Sequence, residues 1–259
     1  TEERFLDLLG ATFLIPGPNS TEMAIHIGWD RRRWAGLVVA GVAFIVPAML
    51  ITAALGWAYA RYGTVPTARW LLYGVKPVIL AVVAQALWGL APRAARTPRL
   101  RALGAAAVVL SAIGGHELAI LFGAGVVSLL TARARPGGES PGRGFHPLVP
   151  LAPLVAGGVA SGVTIPSLFW VFLKTGSVLF GSGYVLLAFL RSSFVEGQAW
   201  LTETQLLDAV AIGQVTPGPV FTTATFVGYL LEGVPGALLA TLGIFLPSFL
   251  FVALLARIM

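Results

Sequence analysis

A motif made of Thr1-Glu2, Leu6-Asp7, Pro16-Gly17-Pro18 and Thr21 recurs, in order and spacing, as Thr202-Glu203, Leu207-Asp208, Pro217-Gly218-Pro219 and Thr222. After one gap the correspondence resumes and pairs Gly28 with Gly228, Gly36 with Gly236, Ala40 with Ala240 and Pro47 with Pro247. Duplication inside an apolar chain is the pattern of repeat-built membrane carriers, whose binding site lies where the repeats meet. The repeated element also holds a helix-breaking Pro-Gly-Pro, the kind of interruption that forms such a site.

Composition sets the solvent. Hydrophobic residues make up 57% of the chain and charged residues 11%, against roughly 25% charged in a soluble domain. Mean hydropathy is +0.86. Apolar runs such as Trp34–Tyr59 and Trp70–Leu90 exceed the ~20 residues that cross a bilayer, and they are too long and too many for one signal peptide. The chain therefore reads as an all-α polytopic membrane protein, crossing its membrane several times. The net charge is +6, and Lys76 and Lys174 are the only lysines among 17 basic residues. The arginines fall between apolar runs with no interleaved aromatic stripe, so they read as topology-setting loop charges and not as a nucleic-acid surface. There is no cysteine, which excludes thiolate metal sites, disulfides and cysteine nucleophiles.

Phe5–Ile15 and Asn19–Trp29 are each about 17 Å long as helix, at 1.5 Å per residue, too short to span. Joined by Pro16-Gly17-Pro18, they form either a re-entrant pair of half-helices or one broken spanning helix. Proline removes a donor and pushes the residue before it out of the α region, so the break itself is firm. Leu206–Val215 and Val220–Leu231 repeat the arrangement. Trp34–Tyr59, with Pro47, and Val234–Met259, with Pro247, are the long runs that follow. The spacing places a first repeat at 1–133, a Gly/Pro/charge linker at 134–147 and a second repeat at 148–259. Ile165–Leu190 precedes the Thr202 motif but nothing precedes Thr1, and Trp70–Leu90 has no counterpart before Met259. Both repeats are thus expected to be shortened, the first at its start and the second at its end. Asp30-Arg31-Arg32-Arg33 matches Glu232-Gly233, which carries no basic residue. The positive-inside rule puts Arg31–Arg33, Arg93–Arg101 and Arg133–Arg143 in the cytoplasm and leaves Glu232 outside, which makes the repeats inverted. Counting every apolar run as one span gives a parallel arrangement instead, so inversion needs one re-entrant segment.

The two breaks are the leading chemical candidates. A helix start presents unpaired N–H groups and about half a positive charge, which suits an anion. Asn19, Ser20 and Thr21 follow the first break, and Thr222 and Thr223 follow the second; their hydroxyls are added donors. The competing reading is a structural kink, weakened because the motif occurs twice. Glu22 and His26 share a helical face one turn beyond the first break and are candidates for proton coupling, or else a solvated pair beside Arg31–Arg33. Lys174 could neutralise a dianion or snorkel to an interface; Lys76, before Pro77, fits the latter better. Gly181-Ser182-Gly183 permits a second break or close helix packing. His116-Glu117 reads as a loop pair. Three scattered histidines give no metal-ligand spacing, and neither metal nor cofactor is expected.

The run PGPNSTEMAIHIGWDRRRWAGLVVAGVAFIVP resembles the first domain of the chromate ion transporters. FLKTGSVLFGSGYV, followed by WLTETQLLDAVAIGQVTPGPVFTTATFVGYLLEGVPGALLATLGIFLPSF, resembles their second domain. The resemblance covers nearly the whole chain outside Arg93–Pro166, and its most specific elements are FGSGY, IGQ-x-x-PGPV and LPSF. It implies export of chromate coupled to the proton-motive force, and chromate resistance. It implies importance for Pro16, Gly17, Pro18, Gly28, Gly181, Gly183, Gln214, Pro217, Gly218, Pro219, Thr225 and Gly228. Glu22 and His26 stand where neutral polar or aromatic residues are more usual in that family, and a glycine-rich segment usual before Thr1 is absent.

These readings converge on a transporter, not an enzyme, alternating access around a midplane oxyanion site. Chromate is the expected partner, with sulfate as competitor and the bilayer as surroundings; pairing into a homodimer stays open. A flippase for a polyprenyl-phosphate lipid would use the same half-helices, and a passive oxyanion channel would need no coupling. An enzyme acting on a phosphorylated lipid would need clustered acidic or histidine ligands in the membrane, which the chain lacks.

Overall fold

The computed structural model describes residues 8–12, 15–63, 65, 74, 77, 81, 84–85, 88–89, 91–92, 95–113, 119–120, 123–128, 162–179 and 183–258. All secondary structure among them is helical apart from one isolated bridge at Gly17. The chain divides into two compact units, one of residues 1–79 with 155–259 and one of residues 80–154. In the smaller unit, helix α2 (Pro98–Ala112) is capped by Thr97, whose side chain accepts from the Leu100 N–H, and buries none of its residues.

The larger unit contains α1 (Asn19–Tyr62), α3 (Ile165–Val178), α4 (Gly183–Leu190), a π-helical turn (Arg191–Gly197), α5 (Glu203–Val215), a 3-10 turn (Val220–Thr222) and α6 (Thr223–Ile258). Asn19–Tyr62 and Val220–Arg257 are long and apolar enough to cross a membrane. Neither runs straight. Arg32 (φ −144°, ψ 28°) and Arg33 (φ 48°, ψ −128°) interrupt α1; Glu232 (φ −136°, ψ 20°) and Gly233 (φ 62°, ψ −145°) interrupt α6 in the same way. Each long helix is thus a half-helix, a tight turn and a long arm. No non-helical angle occurs at Pro47 or Pro247, so the breaks fall at Arg32-Arg33 and Glu232-Gly233 and not at these prolines.

The turns bring half-helix and arm into backbone contact. A β-carbon on Gly28 would run into the Gly36 carbonyl and come within 2.6 Å of the Ala40 β-carbon. A β-carbon on Gly228 would meet the Gly236 carbonyl and come within 2.7 Å of the Ala240 β-carbon. Small residues allow this approach without a side-chain layer, the packing mode favoured where lipid removes the hydrophobic drive between helices.

The first arm then runs along the later elements. Gly41 meets Phe249, and Gly56 faces Tyr229, whose β-carbon lies 3.1 Å from a β-carbon built on the glycine. Ile15, Ile25, Trp29 and Leu37 form one buried cluster with Val252 and Ala253 of α6. On its other side α6 takes α3: a β-carbon on Gly176 would strike the Ile244 carbonyl, and one on Gly243 would lie 2.7 Å from the Phe169 carbonyl. Phe172 and Phe194, both fully buried, stack at 5.0 Å between centroids and hold the π-helical turn against α3. Leu179 is extended (φ −74°, ψ 120°), and α4 begins at Gly183.

Candidate functional site

Both Pro-Gly-Pro segments open a new helix, and both glycines take a φ open to glycine alone, 147° at Gly17 and 123° at Gly218. Pro18 (φ −79°, ψ 111°) and Pro219 (φ −70°, ψ 128°) stand at the N-caps and offer no side-chain oxygen to the first turn. Two other helix starts in this unit are closed: Thr164 with Ser167 and Thr202 with Gln205 form reciprocal capping boxes. The starts at the breaks keep open N–H groups. After the first break only the Thr21 and Glu22 N–H groups turn back, both to the Pro18 carbonyl, at 2.9 and 3.1 Å.

The two breaks pack crosswise. Gly218 lies against Ala48 of the first arm, with a β-carbon on the glycine 2.5 Å from the alanine's. Gly17 lies against Ser248 of α6 and against Glu22: a β-carbon there would collide with Ser248 Oγ and Glu22 Oε1. Ala48 and Ser248 follow Pro47 and Pro247, so each break meets the same point of the other region's arm.

The chemistry around the breaks differs. At the second, the hydroxyls are engaged. Thr52 Oγ1 donates to Thr222 Oγ1 at 3.3 Å, and Thr222 Oγ1 donates to the Pro219 carbonyl at 2.9 Å. Thr223 Oγ1 donates to the Val220 carbonyl at 2.8 Å. Thr225 and Thr241 share a 2.7 Å bond, and Thr241 donates on to the Ala237 carbonyl at 2.7 Å. Pro217 and Gly218 are exposed, and Gln214 is half-buried one turn before them.

At the first break Pro16, Gly17, Pro18, Thr21, Glu22 and His26 are buried and Ser20 is exposed. Glu22, Thr21 and Ser248 are each 0% exposed. Both Glu22 oxygens, Thr21 Oγ1, Ser248 Oγ and Asn19 Oδ1 are buried with no hydrogen-bond partner among the described residues. A polar atom buried in this way costs about 1–3 kcal/mol, and these atoms gather at one helix start.

Lys174 lies exposed on α3, off the face formed by Leu168, Phe172, Thr175 and Gly176. Gly181, Ser182, Lys76, His116 and Glu117 lie outside the described residues, and Gly183 opens α4. No group of three or more His, Asp or Glu able to hold a metal occurs among the described residues. Three contributors escaped the sequence reading: Ser248, Thr52, and the Tyr59–Asp208 pair, bonded at 2.8 Å. Ser248 has a trace in the sequence, as a hydroxyl after Pro247 where the first copy has Ala48.

A family profile described as "Chromate transporter" matches residues 1–129 and 166–259. A "Chromate transport protein" from Cupriavidus metallidurans is 34% identical over 259 residues, 98% of this chain and 64% of that protein. A "Probable chromate transport protein" from Synechococcus elongatus is 30% identical, covering 96% of this chain and 65% of that one. A "Chromate transport protein" from Pseudomonas aeruginosa is 32% identical, covering 97% and 62%. The chain thus spans slightly under two thirds of the length of these relatives. No solved structure matches it. The chain belongs to the chromate transporter family.

Proposed function

We propose that this member of the chromate transporter family moves chromate across the inner membrane as a multi-pass carrier, exporting it at the expense of the proton-motive force and so conferring resistance. The observation that carries this reading is the first break: an uncapped half-helix start at Pro18 beside side-chain oxygens of Asn19, Thr21, Glu22 and Ser248 that are buried with no hydrogen-bond partner among the described residues. Helix N–H groups and hydroxyls bind a tetrahedral oxyanion without the fixed charge of an arginine clamp, which would hold it tightly and release it slowly.

The chain is read as parts of two repeats, 1–133 and 148–259, of inverted topology. Supporting this are the matched interruptions at Arg32-Arg33 and Glu232-Gly233 and the crosswise contacts of Gly17 with Ser248 and Gly218 with Ala48. A reciprocal contact of like surfaces is what a two-fold axis generates, and inverted repeats have such an axis in the membrane plane. Arginines in the first turn and none in the second favour that choice over parallel repeats. Alternating access would then expose the first break to either side by rocking one region against the other.

The test is chromate flux in proteoliposomes holding the full-length protein, with and without an imposed gradient and with sulfate as competitor. Gradient-dependent flux blocked by sulfate is expected. Absence of flux with folded protein overturns the reading.

A further inference from the structure

The geometry points to Glu22 and Ser248 as one ligand set at the first break, in which a protonated Glu22 carboxyl and the Ser248 hydroxyl both donate to the oxyanion, so that a proton travels with the anion in the same direction. This rests on the oxyanion-transporter reading above.

Glu22 Oε1 and Ser248 Oγ converge on the point where Gly17 lacks a side chain, from two different elements. Both are completely buried, and neither has a hydrogen-bond partner among the described residues. They lie beside the half-helix start at Pro18, whose first N–H groups have no side-chain cap. Backbone N–H groups and a serine hydroxyl attract an anion, but an ionised carboxylate in the same pocket repels it. A neutral carboxyl reverses that sign by offering an O–H donor. The anion therefore selects the protonated pocket, and linkage requires the proton to be held more tightly while the anion is bound.

Among the described residues, few other groups can supply the charge. On its own half-helix the nearest titratable residue is His26, one turn on and buried. Residues 8–12 carry none, and α6 has none between Glu232 and Arg257. The arm of α1 brings Tyr59 and α5 brings Asp208, which are bonded to each other; α3 brings Lys174 on its exposed face. Among the described residues, Glu22 is the acidic side chain buried at the break.

The second break provides an internal contrast. There Ala48 takes the place of Ser248 and Thr223 follows Thr222 where Glu22 follows Thr21. Its threonine hydroxyls already donate to carbonyls. The ligand set is one-sided.

Calorimetric titration of chromate and sulfate into the full-length protein tests this, using buffers of different protonation enthalpy over a pH series in which both anions are fully dianionic. Wild type should take up as much as one proton per anion somewhere in the series, with affinity falling as pH rises. Glu22→Gln should bind without proton uptake, and Ser248→Ala should bind about tenfold more weakly with uptake intact. Binding with no uptake at any pH, or with uptake unchanged in Glu22→Gln, overturns the proton role and leaves the oxyanion site standing. Absence of binding by either anion overturns the site and the transporter reading together. The wild-type proton count decides the matter even if Glu22→Gln fails to fold, and Ser248→Ala installs the residue that the matching position already tolerates.

Discussion

Tyr59 donates a 2.8 Å hydrogen bond to Oδ2 of Asp208. The phenol lies at the far end of the first arm, stacked edge-on against Phe226 at 5.3 Å, and Asp208 is 3% exposed on α5. The bond therefore ties the arm of α1 to the half-helix that leads into the second break. Tyr59→Phe keeps the ring contact and removes only the donor, so stability should fall by about 1–3 kcal/mol. Thermal unfolding in detergent reads this, and an unchanged midpoint would mean the bond contributes nothing.

The tight helix pairs give a sharper expectation. Gly28→Ala and Gly228→Ala each push a β-carbon into a facing carbonyl, where backbone must move and no side chain can yield. Both should lower the yield of monodisperse protein severely. Gly104→Ala is the control: nothing lies within 4 Å of a β-carbon there, and alanine in a helix interior is favoured by about 1 kcal/mol.

Arg33 adopts φ 48°, ψ −128°, where the second region has Gly233 at φ 62°, ψ −145°. A non-glycine residue there carries strain of about 1–3 kcal/mol. Its guanidinium lies 5.7 Å from the Trp29 ring centre, a contact worth about 0.5–1 kcal/mol at an exposed site. Arg33→Gly should therefore raise the unfolding temperature despite losing a charge; a lower one would show that the cation–ring contact dominates.

These positions also show how far the sequence could be read. Both breaks were legible because proline and glycine act locally, through φ and a missing donor. The turn at Glu232-Gly233 carries its glycine openly, whereas Arg32-Arg33 hides the same backbone behind three arginines that read as a loop. The half-helices were therefore legible, but the close packing of each against the arm that follows it was not. Non-local facts were out of reach: which arm covers which break, that Ser248 faces Gly17, and that Thr222 and Thr223 direct their hydroxyls to carbonyls. Lys174 was ambiguous for a related reason, since helical periodicity does not reveal which face of α3 meets α6.

Crosswise packing makes the two breaks separable by mutation. Gly17→Ala would drive a methyl group between Glu22 and Ser248 and should abolish anion binding, with insertion retained. Replacing Pro217-Gly218-Pro219 by Ala-Ala-Ala should abolish transport by removing the second interruption, while binding at the first break survives. Equal loss of binding in both would assign the anion to a site shared by the breaks.

The sign of the coupling gives a final expectation. If a proton leaves the cell with each chromate dianion, one net negative charge moves outward. An inside-negative potential then drives export, by about 2.3 kcal/mol per 100 mV for that charge, while a gradient that is acidic outside opposes it. The two components of the proton-motive force thus act in opposite directions. A carrier exchanging chromate for an entering proton would instead move three charges, and both components would assist. In everted vesicles, dissipating the potential alone should slow uptake of chromate, and dissipating the pH gradient alone should accelerate it. Slowing by both treatments would exclude co-transport through Glu22 and establish exchange.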